Sequence, residues 1–365
     1  MSESDNSSLV PVGSSKAARA AIPSIIICVV MVSIPVALVL LGIACAIGHS
    51  PVAAGLLFSC ATIYSWFVVP YFIHMVVATY EKFEPENLRG RILLQQSLLP
   101  LYSIFRNNRF HAICLSNLGT WELSLANFDR AEHFFRRALK VQDRGGATKS
   151  LDSVFVITAN LANALSRLHR YDEASTLLEP CVQAVLNTPD RFSPSVCWFV
   201  VFSMLYLKTH SEPINLLEAQ TYFQMTEEFY SRVAQSTDIS RQFEYKYAML
   251  SAAAVYYFKQ GEPAHGTSAC LEFLNLARYR AAAVPLSEIE RFNEVGELLF
   301  NCGEFDLCEQ FLDIAYRSGA NEPFHPMAQR TLINFEKLLV ATDRSDEVAD
   351  MKRWLRLVVA LPPQK

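Results

Sequence analysis

The sequence predicts an all-α protein: two transmembrane helices near the N-terminus, followed by a right-handed solenoid of stacked helix pairs. Two observations carry this expectation. Between Arg19 and Glu81 lie 61 residues without a single Asp, Glu, Lys or Arg. Beyond Glu81, small and aromatic residues return at a long and nearly constant spacing, the mark of a repeat.

The apolar segment is too long for one crossing. A helix needs about 20 residues to traverse a ~30 Å hydrocarbon core, so 61 residues suit two. Gly48-His49-Ser50-Pro51 is the expected break. The predicted spans are 22–47 and 53–79, within a hairpin of residues 21–80. Pro35 and Pro70 fall inside them, and His74 is the ionisable group deep in the second. Lys16 and Arg19 precede the hairpin, whereas Lys82, Arg89 and Arg91 follow it. The positive-inside rule then places both termini in the cytoplasm, as in a bacterial inner-membrane protein. Gly42, Ala46, Ala53, Ala54 and Gly55 flank the turn, where small residues allow close helix approach and an oligomer through the hairpin.

Residues 1–20 read as a polar, disordered tail and residues 81–110 as a juxtamembrane connector. Within the connector, Leu88–Phe105 forms an apolar helix that Pro100 is expected to break. Residues 111–360 make the repeat domain. A net charge of −4 with no Lys/Arg cluster excludes a general nucleic-acid binder. The nine cysteines contain no C-x-x-C and read as small buried thiols.

Three copies of the repeat stand out. The first runs Asn117-Leu118-Gly119, then Phe128-Asp129, Ala131, Phe135 and Ala138. The second runs Asn160-Leu161-Ala162, then Tyr171-Asp172-Glu173-Ala174, Leu178 and Cys181. A further one comprises Val295-Gly296, Gly303-Glu304-Phe305, Cys308, Leu312 and Ala315. Antiparallel helices approach closely only where side chains are small, so Gly or Ala of helix A must meet Ala of helix B. Weaker copies fill the gaps around Trp198–Leu207 with Ala219, around Ala254 with Gly266, and from Ala328 to Leu357. The equivalent helix-B positions are 131, 174, 219, 266, 308 and 349, spaced by 41 to 47 residues.

These residues resemble the tetratricopeptide repeat, and the spacing resembles the long-period units of kinesin light chains and similar bacterial solenoids. His325-Pro326 resembles a dipeptide found between repeats of that subclass. The resemblance implies a concave groove, lined by the A helices, that binds protein or peptide partners. Counted from the small residue of each helix A, Ser116, Asn117, Thr120, Asn160, Asn163, Lys208, Ser251, Asn293, Glu297 and Asn334 lie on or near it. Asn117 and Asn160 match the family position whose amide holds the backbone of an extended peptide, where a carboxamide offers donor and acceptor together.

No H-E-x-x-H, P-loop, G-x-S-x-G or dinucleotide glycine pattern occurs. His265 beside Cys270, and Cys302 beside Cys308, read as a turn histidine and packing thiols rather than as chemistry. No catalysis, cofactor, metal or small-molecule substrate is therefore expected. The expected role is a membrane-anchored scaffold that binds protein or peptide partners and touches the bilayer through residues 21–80. The alternative is an accessory subunit of a channel, transporter or secretion complex acting through its hairpin.

Overall fold

The computed structural model describes residues 88–104, 108–144, 151–211, 214–236, 239–279, 286–319 and 325–348, with 52–61 and scattered positions between 37 and 50. Every regular element among these described residues is helical. In chain order the long helices are α1 (Leu88–Ile104), α2 (Asn108–Ser124), α3 (Phe128–Arg144), α4 (Leu151–Arg167), α5 (Tyr171–Asn187), α6 (Pro194–His210), α7 (Leu216–Ser236), α8 (Ile239–Gln260), α9 (Pro263–Tyr279), α10 (Leu286–Asn301), α11 (Phe305–Gly319) and α12 (Pro326–Ala341). A short 3-10 turn, Pro189–Arg191, precedes α6.

The chain divides into two compact units: residues 1–118 with 140–148, and residues 119–139 with 149–365. In the first unit α1 runs unbroken through Pro100, against the sequence expectation. Pro100 is exposed, so the carbonyl that loses its amide partner can turn to water. Pro180 is likewise exposed inside α5. Ala112, Cys114 and Leu115 of α2 are fully buried.

The second unit is a stack of helix pairs. The pairs are α4–α5, α6–α7, α8–α9 and α10–α11, and each A helix also packs on the next: α4 on α6, α6 on α8, α8 on α10, α10 on α12. The expected small residues sit at the crossings. Ala131, Ala174, Ala219 and Cys308 are fully buried. A Cβ added at Gly119 would lie 2.6 Å from the ring of Phe135, and one at Gly296 would lie 3.0 Å from Leu312. In the last repeat the helix-B position falls one residue earlier than expected. Val348, the fourth residue after Arg344, is buried there, and Ala349 lies outside the described residues.

The turns between A and B helices share one backbone form. Ala126, His169, Gly261, Gly303 and Asp343 each stand two residues before helix B, with φ of 58°, 59°, 78°, 79° and 57°. At each, the amide bonds back to a carbonyl three residues earlier, and the next amide to one five residues earlier. This Schellman pattern satisfies carbonyls that a helix end would otherwise leave open. His325-Pro326 has a comparable local cause. His325 Nδ1 accepts the amide of Met327 at 3.3 Å as the N-cap of α12, and Pro326 takes the first helical position, where its missing N–H costs nothing.

The core of the fourth and fifth repeats is aromatic. Tyr247, Phe273, Phe292 and Phe311 are all fully buried, with ring centroids 4.7 Å apart for Phe273 and Phe292 and 5.3 Å for Phe273 and Phe311. Such offset and edge contacts add to plain area burial.

The expected membrane location is overturned. Among the described residues no helix is long and apolar enough to cross a membrane. The apolar helix α6 has 17 residues and directs Val196, Trp198, Val200, Val201, Met204 and Leu205 into the protein interior. Inner-membrane placement with both termini cytoplasmic is corrected accordingly. Bilayer contact through 21–80, an oligomer through the hairpin and a channel-subunit role rested on the same two spans, and the described residues give them no support. The remainder of the spans, with Pro35, Pro70 and His74, lies outside the described residues, as do the tail 1–20 and all of 349–360.

Candidate functional site

Helix α4 presents Asn160, Asn163 and Arg167 at spacings of three and four, hence along one face. Helix α6 carries Trp198, Phe202, Tyr206 and His210 at strict four-residue spacing. Consecutive rings of this stripe stack at 4.7 Å for Trp198 and Phe202, and at 3.9 Å for Tyr206 and His210. Helix α10 presents Glu290, Glu294 and Glu297 at spacings of four and three. Within the second unit these A-helix faces meet around a cavity of about 80 Å³, lined by Asn163, Arg167, Phe199, Phe202, Tyr206 and Glu290, with Glu294 and Arg291 beside them.

The centre is ionic. Arg167 Nη1 donates to Glu294 and also lies 3.1 Å from Glu290. The Tyr206 hydroxyl donates to the same Glu294 oxygen at 2.9 Å. The Arg167 guanidinium lies 5.0 Å from the Tyr206 ring centroid, and that of Arg291 lies 5.6 Å from Phe202. Arg291 is held in turn by Glu288 at 2.8 Å. The Arg167–Glu294 bond joins the A helix of the second repeat to that of the fifth, 127 residues along the chain, in addition to its contact with the neighbouring α6.

Burial sets the protonation states. It opposes charge on Glu294, but the adjacent Arg167 outweighs it and brings the carboxyl down to about 2. Burial raises Glu290, and Arg167, already shared, offsets this only in part. Burial lowers His210 to about 4, so its ring is neutral at neutral pH. Its Nδ1 lies 2.8 Å from the Tyr206 carbonyl, which can only accept, and so Nδ1 carries the proton. Burial likewise holds Tyr206 well above its ordinary value, as a protonated donor.

The sequence-predicted residues divide. Asn163 lines the cavity, and Asn160, half-buried, lies on the same face of α4. Thr120 is exposed and Asn117 half-buried on α2, with Asn117 in the first unit and Thr120 in the second. Lys208 instead pairs with Glu218 of its own repeat at 2.6 Å. Asn293 is fully buried, and its amide donates to the Met327 carbonyl at 3.2 Å and to Thr331 at 3.0 Å. Asn334 donates to Glu297 at 2.9 Å, and Glu297 holds Arg330 through both oxygens at 3.0 and 2.7 Å. These three staple α10 to α12, so Asn293 has no amide to offer a peptide. Ser251 is buried and donates to the Ala248 carbonyl.

Sequence reasoning missed Arg167, Tyr206, Glu290 and Glu294. A signal existed: Arg167 is one turn beyond Asn163, and the aromatic stripe of α6 has helical period. A second, more open cleft of about 350 Å³ lies among α7, α8 and α9, lined by Phe223, Tyr230, Met249 and Tyr257. At its rim Lys246 pairs with Glu272 at 2.7 Å, and His265 Nδ1 lies 2.9 Å from a Glu262 carboxylate oxygen. Burial pushes the thiols of Cys270 and Cys308 up to about 12, far from a reactive thiolate. No disulfide joins the seven cysteines among the described residues.

Comparison with known proteins agrees with the helical-repeat fold. The tetratricopeptide repeat model matches residues 111–142 and 157–184, the first two helix pairs. No curated protein matches the sequence. Among solved structures, the apo form of RapI superposes with a TM-score of 0.53 at 13% identity, over 78% of this chain and 97% of that one. The signal-transduction ATPase PH0952 from Pyrococcus horikoshii, which has a tetratricopeptide repeat sensor, gives 0.50 at 13% identity over 87% of this chain and 45% of its own. The apo quorum sensor NprR from B. thuringiensis gives 0.48 at 10% identity, over 88% and 98%. At these identities the likeness is one of fold.

Proposed function

We propose that this chain is a tetratricopeptide-type scaffold of the long-period kind, which binds a protein or peptide partner across the A-helix faces of its second to fifth repeats and carries out no reaction of its own. One observation carries this reading: A helices distant in sequence bring Asn163, Arg167, Tyr206, Glu290 and Glu294 to a single cavity. Polar groups convergent on a partly aromatic hollow are what a recognition site needs, since aromatic area supplies contact and fixed polar atoms supply orientation. The sensor repeat of the Pyrococcus protein supports the assignment by analogy.

Asn160 and Asn163 are assigned to the peptide backbone on this reading, and the long period, 43 residues between Ala131 and Ala174, supports the kinesin-light-chain-like subclass. Photo-crosslinking from the intact protein tests the face. A benzoylphenylalanine at position 163 is expected to capture a defined partner, and one at Thr176, exposed on α5, is expected not to. Equal capture from both positions, capture from Thr176 alone, or none from either would overturn the reading.

A further inference from the structure

Around the cavity the ion pairs are shared unevenly. Arg291 is matched by Glu288, and Arg330 by Glu297. Arg167 alone faces two carboxylates, and both reach the same Nη1 atom. Glu294 takes the shorter contact and a second bond from Tyr206. Among the described residues Glu290 holds only the shared 3.1 Å contact; it remains 25% exposed and lines the cavity. A carboxylate so placed lacks a donor of its own, and partly desolvated charge without a dedicated partner is costly.

The surrounding walls favour one kind of donor. Phe199, Phe202 and Tyr206 line the hollow, and the chain already lays a guanidinium near two of these rings. Planar guanidinium groups bind carboxylates and stack on aromatic faces at once, whereas a carboxylate from a partner would meet Glu290 and Glu294 directly. From this geometry we infer that the partner inserts a cationic side chain, arginine before lysine, which binds Glu290 within the aromatic hollow beside Arg167. The inference rests on the A-helix face being the binding surface and names the chemistry that the surface selects. Burial raises the carboxyl of Glu290, in keeping with a cation being wanted there.

A random dodecapeptide library displayed on phage, panned against the intact protein and against E290Q, tests it. Enrichment of peptides with a fixed arginine on the parent, lost on E290Q, is the expected result. A representative peptide is then titrated into the parent protein with its arginine intact or replaced by citrulline, which keeps the shape and removes the charge. Citrulline should weaken binding about tenfold or more, the size of a charge-assisted hydrogen bond. That arm does not depend on how well E290Q folds. Enriched peptides that are acidic or without basic preference, or an arginine preference unchanged in E290Q and indifferent to citrulline, overturn the inference and leave the binding face standing. Failure of any peptide to enrich removes both.

Discussion

At the scale of single residues, the left-handed turn positions are the least legible feature of the sequence. Gly261 and Gly303 announce themselves, because glycine adopts positive φ without steric cost. Ala126, His169 and Asp343 hold the same conformation without that advantage. Replacing Ala126 by glycine should therefore stabilise the protein, by about 0.5–1 kcal/mol after the extra freedom of the unfolded chain is subtracted, seen as a higher urea midpoint. Gly303→Ala should move it down by a similar amount. A second residue-level expectation concerns His210. Its folded pKa, about 4, lies below the unfolded value of about 6.5. The stability of the neutral, buried ring is complete above pH 6.5 and is lost as pH falls towards 4, because only the unfolded chain takes up the proton. Unfolding measured at pH 7.5 and 5.5 should show the advantage of the parent over His210→Gln shrinking by about 1 kcal/mol on acidification. Glu290, raised by burial, titrates in the opposite sense in both proteins, so the difference between the two isolates the histidine.

Elements were more readable than residues. The small residue of each helix B was found in five of six repeats, because close helix crossings tolerate few side chains and the constraint is written directly in Gly and Ala. Gly119→Ala tests that cause. The added methyl would meet the fully buried ring of Phe135, and the gain in helix propensity cannot offset a blocked crossing. A net loss of about 1–2 kcal/mol is expected in chemical unfolding. Phe292→Ala, which empties the centre of the aromatic cluster, should cost about 3–5 kcal/mol. Which face an element turns to the site was harder to read. Counting from the small residue is accurate to one position, and on α10 that error exchanged Asn293, which staples α12, for Glu294, which meets Arg167. Pro100 misled for another reason: an exposed proline can ride within a helix whose other residues are packed.

For the repeat domain as a whole, the Arg167 bridge changes what an array of repeats does. Stacked repeats hold each other through nearest neighbours, and such arrays unfold piecemeal when neighbour coupling is weak. A contact from the second repeat to the fifth ties the intervening pairs into one cooperative block. Arg167→Ala leaves two carboxylates facing each other in a largely buried place, at a cost of about 3 kcal/mol or more. Hydrogen exchange read helix by helix should then show α4 and α5 opening separately from α10 and α11, where the parent opens them together. Periodicity could not disclose this bridge, since it describes only what each repeat shares with the next.

Synthesis of the chain gives that bridge a temporal meaning. Arg167 leaves the ribosome 127 residues ahead of Glu294, and at roughly 5–20 residues per second the delay is about 6–25 s. During that interval the guanidinium has no carboxylate from α10 to meet, so the early helix pairs remain a partly open nascent intermediate, and the knot of charge is tied only once the fifth repeat has emerged.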